Sequence, residues 1–158
     1  MNALLDRAVE LLDRIPASLV ALLARLGIGA TFWLSGQTKI EGLVLDPIGL
    51  HAQLGWPHVS EGALELFRSE YALPLLPPEL AATMAAFSEH LFPLLLVLGL
   101  GTRFAALALL GMTAVIEVFV YPDAWPTHAV WAACLLYLVA RGPGAVSLDH
   151  WLLGKRAR

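Results

Sequence analysis

The sequence predicts an all-α, polytopic membrane protein. The expected form is a four-transmembrane-helix bundle with an N-terminal interfacial helix and a short amphipathic helix in the first outer loop. Three observations carry this. Hydrophobic residues make up 58% and charged residues 15% of the 158-residue chain, against roughly 25% charged in ordinary soluble domains. The apolar residues come in long runs rather than in amphipathic stripes. The basic residues gather at the ends of alternate runs, as they do where a chain is sorted across a bilayer. The length fits one domain, residues 1–158.

Composition also excludes function classes. No basic patch with interleaved aromatics points to nucleic acid. Cys134 is the sole cysteine, so there is no CxxC pair, no disulfide framework and no zinc-ligand spacing. Alone, it cannot run dithiol–disulfide chemistry.

In chain order, residues 2–15 (NALLDRAVELLDRI) set an apolar face against Asp6, Arg7, Glu10, Asp13 and Arg14. That pattern predicts a helix lying in the interface, with a simple lead-in to the first span as the alternative. The acids also interrupt what a signal peptide would need. Span one is expected at 16–38, with Pro16 in its first turn. It contains Arg25 and leads into Lys39. Residues 40–79 read as a long polar connection broken by Pro47, Gly49, Gly55, Pro57 and Gly62. Within it, Ser60 is a candidate cap for a short helix. Leu64, Phe67 and Tyr71 would share its apolar side, with Glu61, Glu65, Arg68 and Glu70 turned away. This segment is expected to act as a lid or lateral element on the bundle mouth, or else as a surface connector.

Span two is expected at 80–101, span three at 104–121 and span four at 127–140. The last is short for a hydrocarbon layer of ~30 Å. With four spans, Arg7, Arg14, Arg103, Arg141, Lys155, Arg156 and Arg158 share one side. The positive-inside rule makes that side cytoplasmic, so both termini are expected there, in an inner membrane.

The stretch Leu80–Arg103 organises the functional reading, because Glu89 and His90 fall near its middle. A carboxylate at that depth is costly and ordinarily faces the bundle interior with a partner. Pro93 has no N–H to donate to the carbonyl of residue 89, which adds a free acceptor and a kink point there. At 1.5 Å rise per residue, Arg25 and Glu89 lie roughly 13 Å and roughly 16 Å from the inner face. The expectation is an Arg25–Glu89 pair within a central polar layer with His90. Gln37, Lys39, Glu117 and His128 would form a second, outer layer. The layers could be a register-fixing ion pair with interfacial neighbours, or a small-molecule or proton site. A quinone headgroup is one ligand such a site could hold, since its carbonyls need donors and its reduction needs protons. The candidate residues are Arg25, Glu89, Lys39, His90, Glu117 and His128.

RLGIGATFWLSGQTKI, the span-two phrase SEHLFPLLLVLGLGTRFAALAL and the ending RGPGAVSLDHWLL together resemble the DoxX family of small bacterial membrane proteins. The likeness runs from about Leu22 to Leu153. It implies a four-helix inner-membrane protein in which Arg25, the Ser35-Gly36-x-x-Lys39 ending of span one, Glu89 and Gly101-Thr102-Arg103 match the family pattern. The family is related to a subunit of thiosulfate:quinone oxidoreductase, and members are linked to thiol redox balance. The phrases FRSEYALPLLPPELA and VFVYPDAWPTHAVWAA resemble a subgroup accompanying peptide-modifying metalloenzyme operons, which implies electron transfer or a role in copper stress. The resemblance therefore implies a membrane subunit of a quinone-linked oxidoreductase system acting with a redox partner protein. A non-catalytic scaffold or a small-molecule or ion transporter is the alternative. A transporter would show an open polar path, a scaffold a closed dry pair. Gly99, Gly101, Ala105, Ala106, Ala108 and Gly111 allow close helix contact, within the chain or in a homodimer.

Overall fold

The structure, a computed structural model, describes residues 2–46 and 49–154. Pro47 and the basic residues Lys155, Arg156 and Arg158 lie outside the described residues. Four long helices pack side by side: α2 (Ala17–Gln37), α4 (Pro78–Leu98), α5 (Thr102–Val115) and α6 (Trp125–Arg141). Around them are α1 (Asn2–Leu12), the short α3 (Glu61–Leu66) and the terminal α7 (Leu148–Leu153). Helix α5 runs on as a π-helix over Ile116–Val120. Among the described residues three helices are long and apolar enough to cross a membrane: Ala17–Gln37, Pro78–Leu98 and Thr102–Val120. Helix α6 is shorter, at 17 residues.

Helix α2 packs on α4 and α6, and α5 packs on the same two. The outward faces are apolar: Leu23, Phe104, Leu107 and Val130 are 57–66% exposed. An apolar exterior of this kind is stable against lipid and not against water.

The core occupies one half of the bundle. Ala21, Ile28 and Phe32 of α2 meet Leu96 of α4, Ala105, Ala106 and Leu109 of α5, and Leu135 and Leu138 of α6. Most lie toward the end where α2 begins, and small residues let the backbones approach there. Phe32 reaches the wall of a cavity at the other end. At that other end α2 and α4 come close at Gly36, where an added Cβ would fall 3.0 Å from the Glu89 carbonyl oxygen and 2.8 Å from the His90 ring. The carbonyl that Pro93 leaves without its helical donor therefore faces a glycine.

At the packed end, Arg25 is 2% exposed. Its Nε donates to Leu96 O at 2.6 Å and its Nη2 to Val97 O at 2.7 Å. Nη1 donates to Pro143 O and Val146 O at 3.0 and 2.6 Å. The first two acceptors are among the carbonyls that a helix C-terminus leaves without intrahelical donors, and a cation is favoured there. Gly99 closes α4 at φ 69°, and a Cβ on it would meet the Arg25 guanidinium at 2.7 Å. Asp149 completes the junction by accepting from the amides of Gly101, the N-cap of α5, and Thr102, at 2.8 and 2.9 Å. Arg103 serves α6 as Arg25 serves α4, donating to Val139 O and Ala140 O.

Arg25 therefore does not pair with Glu89. Their depths do not match. Helices α2 and α4 run antiparallel with an offset: Gly29 stands against Val97 and Gly36 against Glu89. Arg25 is therefore level with the last turn of α4, and Glu89 is level with a position eleven residues further along α2, roughly 16 Å away at 1.5 Å per residue. Counting from the ends of the two spans assumed that those ends are flush.

The connection 40–59 is not plain loop. Ile40–Glu41 (β1) pairs antiparallel with His58–Val59 (β4), and Val44–Asp46 (β2) with His51–Gln53 (β3). Each strand is two or three residues long, below the run of four to eight from which strands are read. The Ser60 cap forms as expected, accepting from Ala63 N at 3.1 Å. Helix α3 continues as a π-helix through Tyr71. Phe67 is buried on Ala81 and Ala82 of α4, with Leu64 and Tyr71 against the same cluster. Glu61, Glu65, Arg68 and Glu70 are exposed.

Replacing Arg25 with Gln is expected to cost about 3 kcal/mol or more, because several charge-assisted hydrogen bonds are lost and buried carbonyls are left bare. Arg25→Lys should not restore it, since an ammonium lacks the planar fork. Thermal unfolding in mild detergent checks both; wild-type melting of either variant would contradict the assignment.

Candidate functional site

Opposite the packed end, the four long helices part around a cavity of about 290 Å³. Phe32, Phe67, Leu73, Met112, Ile116 and Trp131 give it apolar walls, and Lys39, Glu89 and His128 are its charged or titratable lining groups, with Tyr71 and Tyr121 also on its wall. It is not sealed. Met84 on α4 and Val115 on α5 line it and are 50% and 41% exposed.

One wall carries an ion pair. Lys39 Nζ lies 2.7 Å from Glu89 Oε2, and the residues are 7% and 3% exposed. Lys39 follows the last turn of α2, and its side chain runs back along the helix. Its other hydrogen bonds go to Ser35 Oγ at 3.0 Å and Ser35 O at 3.3 Å. Ser35, Gly36 and Lys39 thus act together: the glycine admits α4, the serine orients the ammonium, and the lysine meets the acid. A charge buried at this depth needs such a partner.

On another wall, His128 of α6 is 5% exposed. Its Nδ1 lies 2.5 Å from Glu117 Oε2 on the π-turn of α5. Glu117 and His128 also line a separate shallow cavity with Trp125, so His128 stands between the two spaces. The Trp131 ring packs on it at 5.1 Å.

The mouth is framed by aromatics. Tyr121 donates to Glu70, which pushes its phenol above the usual tyrosine range. The Tyr121 and Tyr71 rings meet edge to face at 5.6 Å. Arg68 holds the α3 segment to the start of α4 through Glu79 at 2.8 Å. The short amphipathic helix therefore roofs the cavity.

Of the six candidate residues, the cavity collects Lys39, Glu89 and His128, and Glu117 supports His128 from behind. Arg25 belongs to the far end. His90 faces away: its Nδ1 is 2.6 Å from Ala86 O, and its Nε2 is 2.8 Å from Gln37 Nε2. Gln37 Oε1 in turn accepts from Leu45 N at 2.6 Å, and Trp33 Nε1 donates to Leu45 O at 3.0 Å. His90 and Gln37 thus anchor the β-hairpin. The two expected layers are redrawn accordingly. Glu89 joins the outer one, with Lys39, Glu117 and His128.

Ser35, Tyr71, Tyr121 and Trp131 were not among the sequence candidates for the site. The i, i+4 spacing of Ser35 and Lys39 is the one signal that could have pointed to Ser35.

The family model for DoxX matches residues 20–122. The chain belongs to the DoxX family. It is also similar to an uncharacterized protein of Haemophilus influenzae, 30% identical over 90 residues, which covers 52% of this chain and 60% of the relative. The chain thus spans less than two thirds of that relative's length. No solved structure matches. The DoxX match contains Arg25, Lys39, Glu89 and Glu117 and stops before α6, so His128 lies beyond it.

The ion pair yields a test. Lys39→Met leaves Glu89 buried without its partner and should cost about 3–5 kcal/mol, while Lys39→Met with Glu89→Met should recover most of that. Melting of the two singles and the double decides it. Additive losses would mean the groups are not coupled.

Proposed function

We propose that this DoxX protein is the membrane subunit of a quinone-linked oxidoreductase system in the bacterial inner membrane. On this reading α2, α4, α5 and α6 all cross the bilayer, and both termini are cytoplasmic. Helix α1 lies in the inner interface, and α3 lies in the outer one. The observation that carries the proposal is an unsealed apolar cavity, with an acid–base pair at each of two walls: Lys39–Glu89 and His128–Glu117. An apolar ring with two oxygens needs that combination. Exposed Met84 and Val115 on its lining suit a ligand that arrives dissolved in lipid. A closed, dry pair would instead favour a scaffold.

A bound quinone supplies two-electron, two-proton chemistry, and the electrons are exchanged with a redox partner protein. This chain's residues bind the ring and handle protons. Lys39 has three N–H donors, and Ser35 O, Ser35 Oγ and Glu89 engage them. The group with capacity left at that wall is the Glu89 carboxylate, which accepts up to about four hydrogen bonds. At the other wall Nδ1 of His128 is taken by Glu117, which leaves Nε2. With Nδ1 protonated and the ring neutral, Nε2 accepts. Two acceptors fit the two hydroxyls of a hydroquinone better than the two carbonyls of a quinone. Protons on Glu89 and His128 reverse both hydrogen bonds, so the same two residues hold either form.

The test uses protein purified in mild detergent. Trp131 lines the cavity, so its fluorescence reports binding. The reduced form of a short-tailed benzoquinone should bind about tenfold more tightly than the oxidised form, one good hydrogen bond's difference. Glu89→Gln and His128→Leu should each remove most of that preference. If the wild type binds neither form and retains no quinone on extraction, the proposal is wrong, and transport or scaffolding takes its place.

A further inference from the structure

At the packed end of the bundle, beside the start of α2, another cleft, of about 410 Å³, opens. Arg103, Arg141 and His150 line it, and among the described residues no carboxylate does. Arg103 is tied by Nη1 to two carbonyls of α6 and makes no ion pair among the described residues. Arg141 is exposed, and neither it nor the His150 ring has a hydrogen-bond or ion-pair partner among the described residues. The acid next to His150, Asp149, is turned to the amides of Gly101 and Thr102. The Tyr137 hydroxyl donates to Ala17 O at 2.9 Å, so toward the cleft it can only accept.

A concave site with positive charge and no acid in its lining attracts an anion. Guanidinium forks match phosphate oxygens, and an imidazole keeps a donor in either protonation state. Depth identifies the source of the phosphate. The cleft lies where α2 and α5 begin and α6 ends, the level at which apolar helix gives way to polar chain. One turn deeper, Leu107 and Val20 are 57% and 40% exposed and offer apolar surface to acyl chains. We propose that this cleft binds the phosphate of an anionic phospholipid, in the inner leaflet on the orientation given above. Arg141 and His150 would be its free donors and Arg103 its fixed positive wall. The proposal does not depend on the quinone reading.

Native mass spectrometry of the delipidated full chain tests it. The chain would be titrated with phosphatidylglycerol, with phosphatidylcholine, and with inorganic phosphate alone. Phosphatidylglycerol is expected to bind more tightly than phosphatidylcholine. Arg141→Gln should weaken it about fivefold, the effect of one basic side chain near a charged lipid surface. Arg141→Gln with His150→Gln should weaken it further, and Arg68→Gln, at the other end of the bundle, should leave it unchanged. Because Arg141 makes no contact that the fold uses, its variant is expected to melt like the wild type, and melting is measured alongside. Equal affinity for the two lipids, or unchanged affinity in the double variant, would overturn the proposal. So would displacement of the lipid by millimolar inorganic phosphate, which would make the cleft a free-anion site.

Discussion

Four backbone carbonyls converge on the Arg25 guanidinium, two from the last turn of α4 and two from the segment that follows α6. In water these oxygens would be solvated. In an apolar surrounding each needs a donor from the protein, and an unsatisfied one costs several kcal/mol. One side chain meets the need of two segments that are far apart in sequence. Its neighbours are shaped to it: Gly99 has no Cβ because the guanidinium occupies that space. Arg103 repeats the device on α6. The bundle is thus fastened at one end by arginines lodged against helix C-termini.

That fastening lets the other end be hollow. With Ala21, Ala105 and Ala106 closing the backbones together below, larger residues such as Phe32, Met112 and Trp131 stand around an unfilled space above. A cavity reduces stability, because its lining loses packing contacts. A buried ion pair on its wall adds a desolvation cost. Neither feature serves stability, and their coincidence is what marks the region as a site. The roof of α3 and its π-turn rests on α4 through Phe67 and on α5 through Tyr121, so the covering element bears on the walls it covers.

Much of the architecture was legible in the sequence. The apolar runs marked the long helices to within a few residues, and Ser60, Leu64, Phe67 and Tyr71 located the roof. The hairpin between Ile40 and Val59 was not legible, because its strands are too short to show alternation and glycines punctuate them. The candidate site was legible in its residue types and only partly in its pairings. Distance along one helix follows from counting residues, but the offset between two helices does not. Arg25 comes level with Leu96 and Val97, and Glu89 comes level with Gly36, within reach of Lys39. Asp149 had no local signal at all, since it caps a helix that begins 47 residues earlier.

That remote cap bears on how the molecule is made. A chain that enters a bilayer while it is being synthesised presents α2, α4, α5 and α6 before residues 143–149 have left the ribosome. Until then the first amides of α5 lack Asp149, and Arg25 lacks the oxygens of Pro143 and Val146. The long helices can be threaded and still be unlocked. The latch that joins the start of α2, the turn after α4 and the end of α6 closes only when residues 143–149 arrive, so the bundle is loose first and fastened afterwards.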